Sequence, residues 1–513
     1  MRPEASLDER PASANVAEAL IDVTAAHPAR AALLGGDGRE RWTFAELTGR
    51  AARIASGLVR RGLRPGGRVV LLVRDPEEAL VVAVATLWAG GTVVAPPMSS
   101  GWRAALQAAS RTRPIVVVAD PAAWLVLAAV PGLVSVRIRI VTGRRHWPAL
   151  VTLADLADDE HAVATGSVPR SADAPALVSW TTGTTGHSHA VVRTHGVLAA
   201  QHAAIRQLRA PRAGDVDLVG LPTMALHDLA CAVPIVMPPR ADGDRAGTLL
   251  RALVTTAGVT TAAGFPVLFE RLVDSAGPAT LPGIRSIHVG GAPVRPELLD
   301  RLATVAPNAT VVVVYGATEV EPIAAIDATE WRSSGAGSTP GRGMLVGRPC
   351  GGIDLRLVPM EGRERAATSE AGPGRILVRG DRVARDPVRS DPDGWLDTGD
   401  VGTIDDEGRL WLLGRASNML AGGVAPAEVE QSVAALEEVH ASTLVSVPGR
   451  DGPRLVLAVQ PAANASPAAV QARVASMASD RGWGLDRIAV VRRLPRDART
   501  GKIDYRRLPS LVR

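Results

Sequence analysis

Short apolar runs and amphipathic segments alternate along most of the chain. RVVLLV (68–73) predicts a strand, and DPEEALVVAVATLWAGG after it predicts a helix opened by Asp75-Pro76 and closed by Gly90-Gly91. VVAPP, PIVVVAD, ALVSW, VDLVGLP, VTTAAGF, IRSIHVGG and ATVVVVYG repeat the strand pattern. Their Val and Ile runs do not alternate with polar residues, which predicts strands buried on both faces of mainly parallel sheets. This is the pattern of an α/β protein, with helices flanking the sheets. The most apolar stretch, PIVVVADPAAWLVLAAVPGLV, is broken by Asp120, Pro121 and Pro131. It predicts a strand and then a helix, and no membrane span.

The pattern changes near residue 350. GRILVRG and RLWLLGR predict shorter, antiparallel strands, a β-subdomain at the end of the large α/β domain. Beyond Gly414-Arg415 the chain predicts a small α+β unit. Its elements are a helix over 427–437, strands ASTLVSV and RLVLAVQ, a helix over 467–482 and a strand IAVVRRL. The expected organisation is a large domain over 1–415 and a small domain over 416–513, with the boundary at 415–420. No internal repeat or low-complexity tract interrupts it.

At 513 residues, 46% hydrophobic and 21% charged, the chain has the balance of a globular protein. The net charge of +5 is spread over short clusters such as Arg60-Arg61 and Arg144-Arg145, so no nucleic-acid arm is expected. The N-terminus lacks an apolar signal core. Cys231 and Cys350 are far apart and unlike any metal spacing. They point to a reducing cytoplasm and no zinc site. Lys502 is the single lysine among 57 basic residues. Codon drift toward arginine explains the other positions but not this exception.

Three stretches carry chemistry. In SWTTGTTGHSHAVVRTHG (179–196) an apolar strand runs into Thr181, Thr182, Gly183, Thr184, Thr185 and Gly186. Glycines let a backbone approach phosphate and threonines add hydroxyl donors, although a polar surface turn has the same composition. In VVVVYGATEVEP (311–322) a strand ends at Tyr315-Gly316 and continues into Thr318 and Glu319. Ligands sit at such strand ends, and a carboxylate there suits Mg²⁺; a capped strand end is the alternative. In DGWLDTGDVGTIDDEGRLWLLGR (393–415) Asp400 is expected on a loop after a tight Thr-Gly turn, with Arg415 at the exit of a later strand. An acidic loop residue can accept hydrogen bonds from ribose hydroxyls, and two hairpin turns would explain the glycines as well.

Together with GGAPVRPELL (290–299) and the terminal TGKID, these stretches resemble the adenylate-forming superfamily of acyl-CoA synthetases, peptide-synthetase adenylation domains and luciferases. The resemblance runs from about Asn15 to Leu508. It implies a cytoplasmic ATP-dependent acid ligase that makes an acyl-adenylate and pyrophosphate, then passes the acyl group to an acceptor. It also implies a small C-terminal domain that swings between two poses. Thr182, Gly183, Thr184, Thr185 and Gly186 would hold the β- and γ-phosphates. Gly291, Ala292 and Pro293 would line the adenine with Tyr315 and Gly316 against it. Thr318 would touch the α-phosphate, Glu319 would hold Mg²⁺, and Asp400 and Arg415 would bind the ribose. Lys502 would bridge the attacking carboxylate and the α-phosphate. Met224, Ala225, His227, Asp228 and Gly290 would line the acid pocket, with helix-capping or surface roles equally open for His227 and Asp228. The implied cofactors are ATP and Mg²⁺. The partner is a carboxylic acid, with CoA, a phosphopantetheine carrier protein, an amine or an internal hydroxyl open as the acceptor. Oligomeric state is not readable.

The chain departs from this pattern in three places, one of them Ala225, where the family often has an aromatic residue or His. The phosphate loop continues as Ser188, His189 and Ala190 where the family has Pro-Lys-Gly. Either a protonated His189 balances the triphosphate, or the loop backbone and Arg193 suffice. At the hinge, Asn418 stands where the family has Asp, and the interval from Arg415 to Pro426 is about three residues short. That loop helps to line the pantetheine tunnel in the family, so its length weighs against CoA. Similarity around GLPTMALHDLACAVPIVMPP and YGATEVEP to the olefin-pathway β-lactone synthetases supplies a second reading, and a retired adenylate-fold binding protein a third.

Overall fold

The computed structural model describes residues 13–98, 101–127, 130–143, 150–159, 166–181, 189–239, 244–275, 280–336, 341–359, 372–420, 424–449, 452–497, 500–505 and 507–512. The chain packs as two compact units. One comprises Met1–Thr181, Ala190–Pro239 and Thr256–Val259; the other comprises Thr182–His189, Arg240–Thr255 and Thr260–Arg513. The boundary expected at 415–420 falls within the second unit.

In the first unit, capping chemistry starts the helix Pro76–Trp88 where the sequence places it. Asp75 Oδ1 accepts the backbone N–H groups of Glu77 and Glu78, at 2.9 and 3.2 Å, and Pro76 occupies the first turn. A seven-stranded sheet runs Val151–Thr152, Ile138–Val141, Val116–Ala119, Arg68–Leu72, Thr92–Val94, Pro175–Trp180, Ala190–Thr194. Neighbours are parallel except the last two, which are antiparallel. Val116–Ala119, the strand that opens the most apolar stretch, is buried along its whole length. A further set of strands runs Asp217–Val219, Ile235–Val236, Ala31–Leu34, Glu40–Thr43.

In one sheet of the second unit the described strands run in the order Asp354–Pro359, Gly374–Arg379, Leu396–Ile404, Leu410–Arg415, Met344–Pro349, Val320–Asp327, Thr310–Ala317, Ser286–Gly290, Thr261–Gly264. Thr261–Gly264 and Ser286–Gly290 are parallel and buried throughout, as their apolar runs predict. Thr310–Ala317 differs from expectation: its burial alternates, and it turns back antiparallel onto Val320–Asp327. From that hairpin outward every pairing is antiparallel, which makes the β-subdomain. The last hundred or so residues form their own sheet, Val439–Gly449, Gly452–Pro461, Arg487–Val490, over the helices Pro426–Ala434 and Pro467–Asp480. Val429, Val433, Leu444, Leu457 and Val474 are fully buried in its core. Burying each such side chain stabilises by roughly 1.5–3 kcal/mol.

Candidate active site

The register of the antiparallel strands builds the centre of the site in the second unit. Asp400 lies directly opposite Arg415 across Leu396–Ile404 and Leu410–Arg415. Asp400 was expected on a loop; it sits within a strand, because pairing with the distant 410–415 run extends the backbone through the Thr-Gly step. Gly399, at φ +76, supplies the left-handed conformation that this step needs. Arg415 Nε lies 3.1 Å from Asp400 Oδ1, and the Tyr315 hydroxyl donates to Asp400 Oδ2 at 2.7 Å. Burial, then the Asp400 charge, pushes the Tyr315 phenol well above its ordinary range, so it stays a neutral donor. A carboxylate fixed by two donors can accept the hydroxyls of a diol on its remaining lone pairs.

Thr318 and Glu319 form the two-residue turn between Thr310–Ala317 and Val320–Asp327, with Ala317 paired to Val320. The turn buries Glu319, whose side chain is 2% exposed. His189 Nε2 lies 3.0 Å from Glu319 Oε1 and 3.3 Å from Asp386 Oδ2. Arg389 ion-pairs with Glu319, reaches Asp386 Oδ2 at 3.3 Å and donates to His189 Nε2 at 3.1 Å. Asp386 is held in place by the N–H groups of Val388 and Arg389, at 2.8 and 3.1 Å. Burial lowers the His189 pKa; the Arg389 charge lowers it further, and Asp386 opposes both. The permanent cation facing Glu319 is Arg389. Arg193 is buried and donates to Ser179 Oγ at 3.1 Å. Glu319 and Asp386 offer hard oxygen donors of the kind magnesium takes, clustered with His189 within 4.8 Å, whereas an imidazole suits that ion poorly.

The segment after Ser286–Gly290 approaches its neighbours closely. A Cβ on Gly290 would strike the Val314 carbonyl, and one on Gly291, at φ +74, would meet the Phe265 ring at 2.8 Å. Ala292 and Pro293 follow on the same turn. Two residues past Phe265, Val267 packs against the hairpin that carries Lys502: a Cβ on Gly501, at φ +71, would meet Val267 Cβ at 3.1 Å. Asp497 Oδ1 accepts the Thr500 N–H and hydroxyl, at 2.8 and 2.9 Å, and the Lys502 carbonyl accepts the Asp497 N–H at 2.8 Å. The lysine thus sits on a closed, glycine-dependent turn. Asn418, on the 3-10 turn Ala416–Asn418, is buried and donates to the Leu444 carbonyl at 3.3 Å.

Thr182, Gly183, Thr184, Thr185 and Gly186 lie outside the described residues. In the first unit Met224, Ala225, His227 and Asp228 are buried on the helix Pro222–Ala230. Asp228 is spent on an ion pair with buried Arg209, at 2.6 Å, which also pairs with Asp217.

The model of the AMP-binding enzyme family matches residues 21–386. The chain belongs to that family. Among relatives of this AMP-binding enzyme, an olefin β-lactone synthetase of Xanthomonas campestris pv. campestris is 29% identical over 460 residues, covering 83% of this chain and 82% of the relative. A 4-coumarate–CoA ligase of Oryza sativa subsp. japonica is 28% identical over 442 residues, covering 81% and 79%. Among solved structures, ATP-bound MatB of Rhodopseudomonas palustris has a TM-score of 0.79 at 24% identity over 97% of this chain and 98% of its own. The amide bond synthetase McbA of Marinactinospora thermotolerans has 0.78 at 21%, covering 97% and 99%. These two likenesses show the shared adenylate-forming fold, a large sheet-and-helix region with a smaller C-terminal one.

Sequence reasoning missed Asp386 and Arg389. They lie in RDPVRSDPDGW, which has no periodicity, and only the turn closed by Asp386 and Ser390 aims them at Glu319. The signal available was Asp and Arg three residues apart within a Pro-rich turn upstream of TGD.

Proposed function

We propose that this AMP-binding enzyme activates a carboxylic acid with ATP and magnesium. The carboxylate oxygen attacks the α-phosphorus, the bond to the β-phosphate bridging oxygen breaks, and pyrophosphate leaves with the electron pair. The acyl group then passes to an acceptor. The observation that carries this reading is the convergence of Tyr315, Asp400 and Arg415 in one unit with the Glu319 cluster. A diol-accepting carboxylate beside a carboxylate–guanidinium cluster suits a nucleotide's ribose and phosphates. In this reading Glu319 and Asp386 hold magnesium, which neutralises phosphate charge when bound. Arg389 supplies the static positive charge that the loop lacks at His189. Lys502 places a compact ammonium between the carboxylate and the α-phosphate, where a wider guanidinium fits poorly.

The relative from Xanthomonas campestris and the short interval from Arg415 to Pro426 favour an internal hydroxyl as acceptor, closing a β-lactone from a β-hydroxy acid with loss of AMP. The test incubates the protein with ATP, Mg²⁺ and a panel of acids with and without CoA, and measures pyrophosphate and product masses. Pyrophosphate with any acid supports activation, and none with any acid refutes it. A cyclic product without CoA supports the lactone reading, and an acyl-CoA product overturns it.

A further inference from the structure

We infer that His202, His227 and Cys231 in the first unit form a binding site for a divalent transition cation of the zinc type. The inference is independent of the adenylation reading. His227 and Cys231 are four residues apart, at the end of the helix Pro222–Ala230, so both project from one face. His202 comes from the helix His195–Arg209. Its Nδ1 lies 2.9 Å from His227 Nδ1, and the Cys231 thiol lies 3.9 Å from His227 Nε2. One donor atom from each of the three residues falls within 4.8 Å of the others. Tetrahedral donors about 2.0–2.3 Å from a zinc ion stand some 3–4 Å apart. The two short contacts use opposite nitrogens of His227, which offers a cation only one, so side-chain rotation must close the set from separations of up to 4.8 Å.

The frame around these donors is rigid. Arg209, at the end of the helix that bears His202, pairs with Asp228 beside His227 at 2.6 Å and with Asp217 on the neighbouring strand. These buried ion pairs fix the distance between the two helices that supply the ligands. Two further features match what a cation needs. His202 and Cys231 are half-buried, which leaves a route in from solvent. Two imidazoles and a sulfur are borderline-to-soft donors, which select zinc-like cations over magnesium or calcium. Three protein ligands leave a fourth position for water or a small anion.

The imidazole pair and the thiol contact run through opposite nitrogens of the His227 ring. The thiol is no nucleophile: burial, then Asp228, pushes it up to about 11. A bound cation converts it to thiolate and releases its proton to solvent. Cys231 and Cys350 have no metal spacing of their own, and the partners of Cys231 at this site are histidines.

Cobalt(II) is the probe. Chelator-treated full-length protein is titrated with Co²⁺, and the near-ultraviolet sulfur-to-cobalt charge-transfer band and the visible d–d bands are recorded. The inference expects one equivalent with a thiolate band and tetrahedral d–d intensity, displaced by Zn²⁺. Cys231→Ser should abolish the thiolate band and weaken binding at least about 100-fold, and His202→Gln should weaken it by about 10-fold or more. Cys350→Ser should retain the band. Circular dichroism checks that each variant is folded, and His202→Gln carries the test if Cys231→Ser is not. Absence of a thiolate band in the unmutated protein, its survival in Cys231→Ser, or its loss in Cys350→Ser overturns the inference. Cobalt binding without a thiolate band, as at Glu319 and Asp386, also counts against it.

Discussion

Replacing Glu430 by Gln should stabilise the protein above neutral pH and leave it nearly unchanged in mild acid. Glu430 lies on Pro426–Ala434, and its Oε1 accepts the Leu444 N–H at 2.6 Å and the Thr443 hydroxyl at 3.2 Å. Burial raises its pKa from 4.5 to about 7, outweighing the lowering by those two hydrogen bonds. The folded state therefore prefers the neutral acid. The cost of ionising it is absent below 4.5, grows between 4.5 and 7, and is complete above 7. A shift of that size corresponds to about 3 kcal/mol. The side chain is partly accessible, so solvent screening reduces the figure to about 1–2 kcal/mol. Glutamine keeps an acceptor for Leu444 and removes the charge. Denaturant unfolding, followed through the C-terminal region at about pH 8 and about pH 5, should show the variant more stable by about 1–2 kcal/mol only at the higher value. Equal gains at both pH values, or a loss at the higher one, refute the reasoning. Thr443 also meets the Tyr505 hydroxyl at 3.3 Å, three residues beyond Lys502.

Lys502→Arg should cut acid-dependent pyrophosphate release by roughly 10²–10³-fold while ATP binding persists, and unchanged turnover would remove Lys502 from the mechanism. Arg389→Ala removes the charge that lowers the His189 pKa and leaves Asp386, which raises it. The imidazole should then titrate at higher pH by NMR, and an unmoved titration contradicts the cluster geometry. Tyr315→Phe deletes a donor to Asp400 and should weaken nucleotide binding by about tenfold, measured by calorimetry; undiminished affinity would place the ribose elsewhere.

Local chemistry made much of the fold legible. Asp75-Pro76 announces a helix start wherever it is placed, and the unbroken apolar runs at 116–119 and 286–290 could only be buried. The Thr310–Ala317 strand looked the same in sequence, yet one face stays open because its partner returns through the Thr318–Glu319 turn. Asp400 was misplaced for a related reason. A Thr-Gly-Asp step reads locally as a turn, and only the register with Leu410–Arg415 shows it to be strand. The cation facing Glu319 left only a weak mark in the sequence, Asp and Arg three residues apart in a Pro-rich turn. Arg389 is one arginine among many until the fold brings His189 and Glu319 to it.

That last point bears on why the chain keeps one lysine. At Glu319 and Asp386 the positive charge has a static role. It faces two fixed carboxylates, and a guanidinium fork can touch both at once. An arginine-rich sequence can fill such a position from another segment when the loop has lost its own cation. The role proposed for Lys502 is different. Its partners are an attacking carboxylate and a phosphorus centre whose geometry changes during the reaction, so the donors must re-aim in a narrow gap. A single ammonium on a flexible stem does that, and a planar group does not. On that proposal the drift to arginine that suits Arg389 would be costly at 502, and Gly501, at φ +71 beside Val267, sets the backbone that carries the lysine.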